Sequence, residues 1–311
     1  MASRSKKKVV ALVLIGLIVL SAVALASLAP GGTYGTTSGN KIALVRLSGQ
    51  IGESATPSLL GGGGISPELV EDHLEQARLD PGVQAVVVRI ESPGGAVAAS
   101  QEIATMIKTF EKPIVISMAD TVASGGYYIS APADHIVAQP GTLTGSIGVI
   151  WASFDPDKLL KKVGVKIDAI TAGKHKDMFL PGKLNPERRK IVQKIVDTMH
   201  EQFIEEVARD REMSTEEVRE LATGEVFTGT QAQTNGLVDQ LGGIDTAVAA
   251  AENEAGITDS QVVELSPSLF DSFWGPGATA LASLIQPQGL DARIALLREL
   301  LAGQNVPRYE L

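Results

Sequence analysis

The residues best placed for chemistry are a serine and the glycines that follow it. Ser124 comes after an apolar run, 114–119, and directly before Gly125 and Gly126. An apolar run of this length between turn signals predicts a buried strand, and Tyr127 onward suits the start of a helix. A hydroxyl at such a turn lies near the free N–H groups of a helix start, as a nucleophile requires. The residues equally suit an N-cap serine, which is common, so the turn alone leaves both interpretations open.

A nucleophilic serine needs a base, and the histidines are poor candidates. His73 and His200 fall in predicted helices beside charged residues, where exposed surface is expected, and His135 enters a predicted strand. The chain has neither a Gly-x-Ser-x-Gly turn nor a His-Glu-x-x-His pair, which argues against a Ser-His-Asp hydrolase and a metal hydrolase. We therefore expect no metal site and no cofactor. Lysine remains as the candidate base.

The elements that would position these residues alternate along the chain. Strands followed by helices predict an α/β fold with largely parallel pairing, whose sites lie beyond the carboxyl ends of the strands. Both Gly-Gly turns, Gly94–Gly95 and Gly125–Gly126, fall at such ends, which favours the nucleophile. On the longest helix, five apolar residues spaced four apart predict a core-facing stripe: Ile191, Ile195, Met199, Phe203 and Val207. The expected strands are 42–47, 83–90, 114–119, 136–138, 166–171 and 261–265, and the expected helices are 66 onward, 96–110, 155–163, 185–210, 214 onward and 244–255.

Four short sequence words make the chain resemble a known family. They are Ser92–Gly95, Asp120–Tyr128, Thr144–Gly148 and His175–Asp177. In this order they resemble the signal peptide peptidase A family of membrane-bound serine proteases, over residues 41–265. The Gly-Gly turns recur more loosely in the Clp protease subunit and the crotonase-like acyl-CoA enzymes. The resemblance therefore implies an α/β fold of the Clp/crotonase-like type, a spiral of repeated ββα units.

The resemblance also implies roles for individual residues. Ser124 would be the nucleophile, Lys176 the general base and Ser146 the residue that orients the lysine. The amides of Gly94, Gly95 and Gly125 would form the oxyanion hole. A lysine in water is almost wholly protonated at neutral pH, so a lysine base has to be made neutral, which burial favours. A carboxylate beside the amine would oppose this, so we expect Asp177 to point away from Ser124.

The N-terminal residues predict a membrane anchor. A basic end, 1–8, precedes twenty-one uncharged residues, 9–29, which as a helix would reach about 30 Å, enough to cross a bilayer. The basic residues lie before this segment, so the N-terminus is expected in the cytoplasm and the body outside it. A cleavable signal peptide is the alternative. A flexible linker, 30–40, would join the anchor to the peptidase domain, 41–265, and a C-terminal tail, 266–311, would carry an amphipathic helix.

Composition and charge narrow the possible partners. The formal net charge is −9, and because residues 1–40 hold only four of the 27 basic residues, the rest has 23 Lys+Arg against 36 Asp+Glu. This acidic body argues against nucleic-acid binding. The chain has no cysteine, so disulfides and thiol nucleophiles are excluded. In short family members the resemblance implies that serine and lysine meet across neighbouring protomers, so we expect a homo-oligomer, a ring of eight.

The sequence thus predicts a membrane-anchored serine endopeptidase that cleaves remnant signal peptides and other hydrophobic or unfolded peptides outside the cytoplasm. Its partners would be these peptides, membrane lipid around the N-terminal helix, and copies of itself. Three alternatives remain open. One is a protease of the stomatin-associated type, and another is a catalytically silent scaffold that binds peptides on the same fold. The third, a crotonase-like acyl-CoA enzyme, conflicts with a membrane anchor and a place outside the cytoplasm.

Overall fold

The computed structural model describes residues 39–53, 64–178, 180, 182 and 184–265. The predicted basic end, anchor and C-terminal tail lie outside these residues, as does most of the linker. In chain order the elements are β1 (Lys41–Ser48), α1 (Pro67–Leu79), β2 (Val83–Ser92), α2 (Val97–Lys108), β3 (Ile114–Ala123), α3 (Gly125–Ser130), β4 (His135–Ala138), β5 (Leu143–Gly145), α4 (Asp157–Lys162), α5 (Pro186–Asp210), α6 (Thr215–Leu221), β6 (Val226–Thr228), α7 (Gly229–Thr234), β7 (Gln240–Leu241), α8 (Ile244–Ala255) and β8 (Gln261–Leu265).

The strands form one sheet in the order β6-β5-β3-β2-β1-β8. On a branch of this sheet, β4 pairs with β3 and β7 pairs with β4. All pairs are parallel except β5 with β6, which confirms the predicted α/β fold with a largely parallel sheet. Alternate side chains of β2 pack into two separate hydrophobic cores. Val86, Val88 and Ile90 pack with α1, α2 and α3, whereas Ala85 and Val87 pack against α8. Burial on both faces explains why these strands read as continuous apolar runs.

Strand β3 changes its pairing partner towards its carboxyl end. Its first half pairs with β4, whereas its last three residues pair with β5. On the other side the register with β2 runs to Ile90 opposite Met118 and resumes at Ser92 opposite Val122. Three residues of β3, 119–121, thus lie opposite one residue of β2. Such a bulge bends a strand, and here it re-aims the segment that leads to Ser124.

Several local expectations are confirmed by capping contacts. Helix α1 begins after Ser66, whose hydroxyl accepts a hydrogen bond from Leu69 N, and α5 begins after Asn185, whose side chain accepts one from Arg188 N. Ser214 forms a capping box at the start of α6. These caps satisfy N–H groups that would otherwise lack partners at a helix start.

Three other expectations are wrong. Residues 166–171 form no strand, because no neighbouring strand among the described residues offers them backbone partners. His73 is buried rather than exposed, and its Nδ1 lies 2.7 Å from the Leu69 carbonyl oxygen, which it satisfies as a donor. His200, also expected to be exposed, is half-buried.

The apolar stripe predicted on α5 is buried only at Phe203 and Val207. Its other three residues lie in the first half of the helix, which packs less closely on the body, and are half-buried: Ile191, Ile195 and Met199.

Candidate active site

Ser124 is the single residue between β3 and α3. Its φ of +52° and ψ of −122° are rare for a residue with a side chain. The strain is held from both sides, because Ser124 N donates to the Gly145 carbonyl at 2.8 Å and the Ser124 carbonyl accepts from Tyr128 N at 2.9 Å. The Ser124 side chain makes no capping hydrogen bond. A strained serine whose hydroxyl does not cap the helix fits a functional turn better than a simple N-cap.

The Gly94–Gly95 turn packs directly against the Ser124 turn. Gly94 has a φ of +102°, and a Cβ there would lie 2.8 Å from Gly125 N and 2.9 Å from Ser124 Cβ. A Cβ on Gly125 would lie 3.1 Å from Gly95 N and 2.6 Å from Ser100 Oγ. The distances below 3.0 Å are shorter than real Cβ contacts, and 3.1 Å is tighter than most, so both positions favour glycine, Gly94 also because of its positive φ. The structure therefore brings Ser124 and the three predicted oxyanion-hole glycines together.

The amides of these glycines differ in their engagement. Gly94 N–H donates to Ser92 Oγ at 3.2 Å, within the buried turn. In the described part of the chain, Gly95 N–H and Gly125 N–H have no hydrogen-bond acceptor. Gly125 is the first residue of α3, where an N–H has no partner within the helix. Two free amides in adjacent turns can donate hydrogen bonds to an oxygen that develops negative charge, which is what an oxyanion hole does.

Ser146 lies beside Ser124 at the next strand end. Strands β3 and β5 are parallel and pair Ala123 with Gly145, so the two serines are the next residues on neighbouring strands. Ser146 also has a positive φ, of +50°, and its N–H donates to the Glu225 carbonyl at 2.8 Å. Its hydroxyl lies 3.3 Å from the Gly224 carbonyl oxygen, to which it donates. The Ser146 oxygen lone pairs remain available for another donor.

Lys176 lies in a turn formed by residues 174–178. Its side chain is exposed, and its backbone N–H donates to Gly173 O at 3.2 Å. Over the ranges that the structure describes, no hydrogen bond joins Lys176 to Ser124 or Ser146. The neighbouring Asp177 carboxylate forms an ion pair with Arg188. One chain thus shows the serine half of the predicted dyad assembled and the lysine exposed, without a hydrogen bond to that half among the described contacts.

The segment that carries Lys176 is unusual in its exposure. We call residues 150–184 the arm; apart from α4, its described residues form no helix or strand. Of the thirteen large apolar side chains that are exposed among the described residues, nine belong to the arm: Ile150, Trp151, Phe154, Leu159, Val163, Val165, Ile167, Ile170 and Leu180. Its seven lysines against four aspartates make it basic in an acidic protein. An exposed apolar patch of this extent is typical of an interaction surface.

Helix α3 is anchored beneath the site by two tyrosines. Tyr127 is fully buried, its hydroxyl donates to the Leu237 carbonyl at 3.0 Å, and burial raises the pKa of its phenol. The Tyr128 ring packs at 4.8 Å from the Phe203 ring, and burial raises the pKa of this phenol too. Both hydroxyls therefore stay neutral at physiological pH, and they serve packing rather than proton transfer.

Sequence reasoning did not identify the side chains that support the turns. Ser92 and Ser100 are fully buried, and Ser100 Oγ donates to Ala96 O while it fills the space beside Gly125. Thr144, also buried, donates to the Val122 carbonyl at 2.6 Å. Ser92 and Thr144 stand in the words that carry the family resemblance, which was the available signal. Their contacts depend on tertiary packing, which spacing does not reveal.

Comparison with known proteins identifies a family of peptidases. Residues 107–258 match peptidase family S49. The putative signal peptide peptidase SppA of Enterococcus faecium is 37% identical over 231 residues, which cover 73% of this chain and 67% of that protein. Protease 4 of Salmonella typhi is 39% identical over 218 residues, which cover 68% of this chain but only 34% of that protein. This chain thus matches about a third of the length of Protease 4.

A solved structure has the same fold. It is a lysine-to-alanine mutant of the 1510-N membrane-bound stomatin-specific protease in complex with a substrate peptide. The TM-score is 0.52 at 16% identity, and the match covers 76% of this chain and 97% of that chain. The S49 match includes Ser124, Ser146 and Lys176, and the Enterococcus relative is matched over two thirds of its length. The chain therefore belongs to peptidase family S49.

Proposed function

We propose that this protein is a serine endopeptidase in which Ser124 is the nucleophile. The observation that carries the proposal is the strained Ser124 turn, packed against two glycine amides without acceptors in the described residues. Ser124 Oγ would attack the scissile carbonyl carbon, and Gly95 N–H and Gly125 N–H would stabilise the oxyanion. Gly94, whose amide is bonded to Ser92, would contribute by leaving room for that oxygen. The peptidase relatives and the S49 membership support this reaction.

Lys176 would be the general base of this reaction. A neutral lysine amine can take the proton of Ser124 Oγ and later give it to the leaving amine of the peptide. The same amine can then activate a water molecule, which hydrolyses the acyl-enzyme and frees Ser124. Ser146 would accept a hydrogen bond from the amine and so orient it without adding charge. The ion pair of Asp177 with Arg188 is compatible with this role, since it engages the carboxylate next to Lys176.

The exposure of Lys176 in one chain suggests that the base comes from a neighbouring copy. Burial favours a neutral amine, and association of the arm with another protomer would supply that burial. The exposed apolar side chains and the basic charge of the arm suit a contact with the acidic body of a second copy. We therefore propose a homo-oligomer with shared sites, a ring of eight on the family resemblance. The finer fold assignment, a Clp/crotonase-like spiral, belongs to the same proposal.

The substrates we propose are remnant signal peptides and other hydrophobic or unfolded segments outside the cytoplasm. Small residues at the site, such as Gly94 and Gly125, would let an extended peptide backbone approach. Membrane anchoring would rest on residues 9–29. Among the residues that the structure describes, no helix is long and apolar enough to span a bilayer. A protease of the stomatin-associated type remains the alternative, which the fold neighbour supports only at the level of the fold.

Peptide hydrolysis by the full-length protein in detergent tests the proposal. Ser124→Ala and Lys176→Ala should each lower kcat by about 10⁴-fold or more, as loss of a nucleophile or its base does in other serine hydrolases. Lys174→Ala is the matched control, because Lys174 is an exposed arm lysine paired with Glu187, and it should keep its activity. If Lys176→Ala hydrolysed peptides as fast as Lys174→Ala near neutral pH, the assigned base would be wrong. A fully active Ser124→Ala would refute the nucleophile.

A further inference from the structure

On the side that faces β2, the β3 bulge next to the nucleophile is held by side chains, whereas on the other side its last residue, Thr121, pairs with Leu143 of β5. Residues 119–121 have no register partner on β2. The Glu91 carboxylate accepts from Asp120 N at 2.7 Å and, through the same oxygen, from Thr121 N at 3.2 Å. From the other side, Thr142 Oγ1 donates to the Ala119 carbonyl at 2.7 Å.

A second charged residue of β2 contacts the neighbouring part of β3. Arg89, two residues earlier and on the same face of β2, donates to Met118 O at 2.7 Å and to Ser117 Oγ at 3.0 Å. Arg89 and Glu91 thus satisfy groups of β3 immediately before the bulge and within it. A carboxylate that accepts two backbone N–H groups makes charge-assisted hydrogen bonds, which are stronger than neutral ones.

The bulge is rigidly connected to the nucleophile. Only Val122 and Ala123 separate Thr121 from Ser124, and both are paired in the sheet with β5. The Val122 carbonyl accepts from Thr144 Oγ1, and Ser124 N donates to Gly145 O. A shift of the bulge would therefore move Ser124 against the Gly94–Gly95 turn, which continues directly from Glu91 along the chain.

We propose that Glu91 is a positioning residue that holds the nucleophile in register with the oxyanion amides. This inference rests on the proposed function of Ser124. Glu91 acts through the backbone of β3, and in the described contacts its carboxylate reaches Asp120 and Thr121 rather than Ser124. Its loss would remove the protein acceptor of two backbone N–H groups, those of exposed Asp120 and half-buried Thr121, and let the bulge of β3 relax. A displacement of about 1 Å at a reacting atom can cost about 100-fold in rate.

The test compares Glu91→Ala and Glu91→Gln with Glu252→Ala and Glu252→Gln in the full-length protein. Glu252 is a matched control, because it is a half-buried glutamate that also accepts a backbone N–H. It lies on α8, and its carboxylate accepts from Ser260 N at 2.9 Å. Three quantities are measured: kcat and KM for a peptide, the rate at which a fluorophosphonate probe labels Ser124, and amide hydrogen exchange at Asp120 and Thr121.

Glu91→Ala should lower kcat and the labelling rate together, by about 100-fold, with KM within about two-fold of wild type. Glu91→Gln, which keeps one oxygen acceptor and its size, should show a smaller loss. Exchange at Asp120 and Thr121 should accelerate selectively, whereas the Glu252 variants should keep kcat. The inference is overturned if both Glu91 variants retain kcat, if the Glu252 variants lose as much, or if exchange at the two amides is unchanged. A wild-type protein that neither cleaves peptide nor labels at Ser124 would instead refute the proposed function, and the exchange measurement would still decide whether Glu91 holds the bulge.

Discussion

At the scale of residues, the site depends on which amides are free and which are engaged. Ser92 Oγ accepts the Gly94 N–H and thereby fixes the Pro93–Gly94 peptide, one peptide before the one that carries the Gly95 N–H. Gly95 N–H and Gly125 N–H, which have no acceptor among the described residues, would then be the donors for an oxyanion. Free donors fixed in place before the substrate arrives stabilise charge that develops in the transition state, because they need no reorganisation during the reaction.

Ser92→Ala tests this arrangement. The substitution removes the acceptor of a buried N–H, so the Gly94–Gly95 turn should lose its fixed orientation while the fold is kept. We expect kcat to fall by up to about 100-fold, the lower end of the loss seen when one oxyanion donor is removed, with KM little changed. Steady-state kinetics on the peptide substrate measure both constants.

The control for this prediction is Ser130→Ala, since Ser130 is also a buried serine whose hydroxyl bonds to backbone, donating to Gly126 O at 2.7 Å on the far side of α3. Ser130→Ala should change stability more than kcat. Equal effects of the two substitutions on kcat would contradict a specific role for Ser92.

At the scale of elements, the turn after β3 was the part most accessible to sequence reasoning. An apolar run followed by a serine and two glycines predicts a strand, a tight turn and a helix from local chemistry alone. The caps at Ser66, Asn185 and Ser214 were predictable for the same reason, because a cap is a contact within a few residues.

The errors concern contacts between distant residues. The segment 166–171 has strand-like apolar residues, but a strand also needs a neighbouring strand to pair with. In the described chain no strand pairs with this segment, and the sequence alone does not reveal this. His73 was expected to be exposed because it falls in a helix beside charged residues, yet it lies on the buried face of α1 and bonds to the carbonyl of Leu69. The β3 bulge and its Glu91 contact were invisible for the same reason.

Tyr127→Phe tests the anchoring of α3. The substitution leaves the buried Leu237 carbonyl without its donor, which should lower the free energy of unfolding by about 1–3 kcal/mol. Because the ring remains, Ser124 should keep its position and kcat should change little. Thermal or denaturant unfolding measures the first effect and peptide hydrolysis the second. A large loss of kcat without a loss of stability would show that the Tyr127 hydroxyl does more than anchor the helix.

At the scale of the whole molecule, one chain holds an assembled serine site and a lysine on an exposed, apolar and basic arm. The family words predicted both residues, but the sequence could not show that a single chain leaves them unconnected. Association of copies would join the halves and cover the apolar side chains of the arm. Activity would then depend on protein concentration, because a shared site exists only in the assembly.

Complementation between two inactive variants tests this shared site most directly. Ser124→Ala and Lys176→Ala are purified separately, mixed under conditions that allow subunits to exchange, and assayed for peptide hydrolysis. If serine and lysine come from neighbouring protomers, mixed assemblies contain some intact pairs, and we predict that activity returns to a substantial fraction of wild type. If exchange occurs and the mixture remains as inactive as either variant alone, each site is built within one chain and the central claim is contradicted.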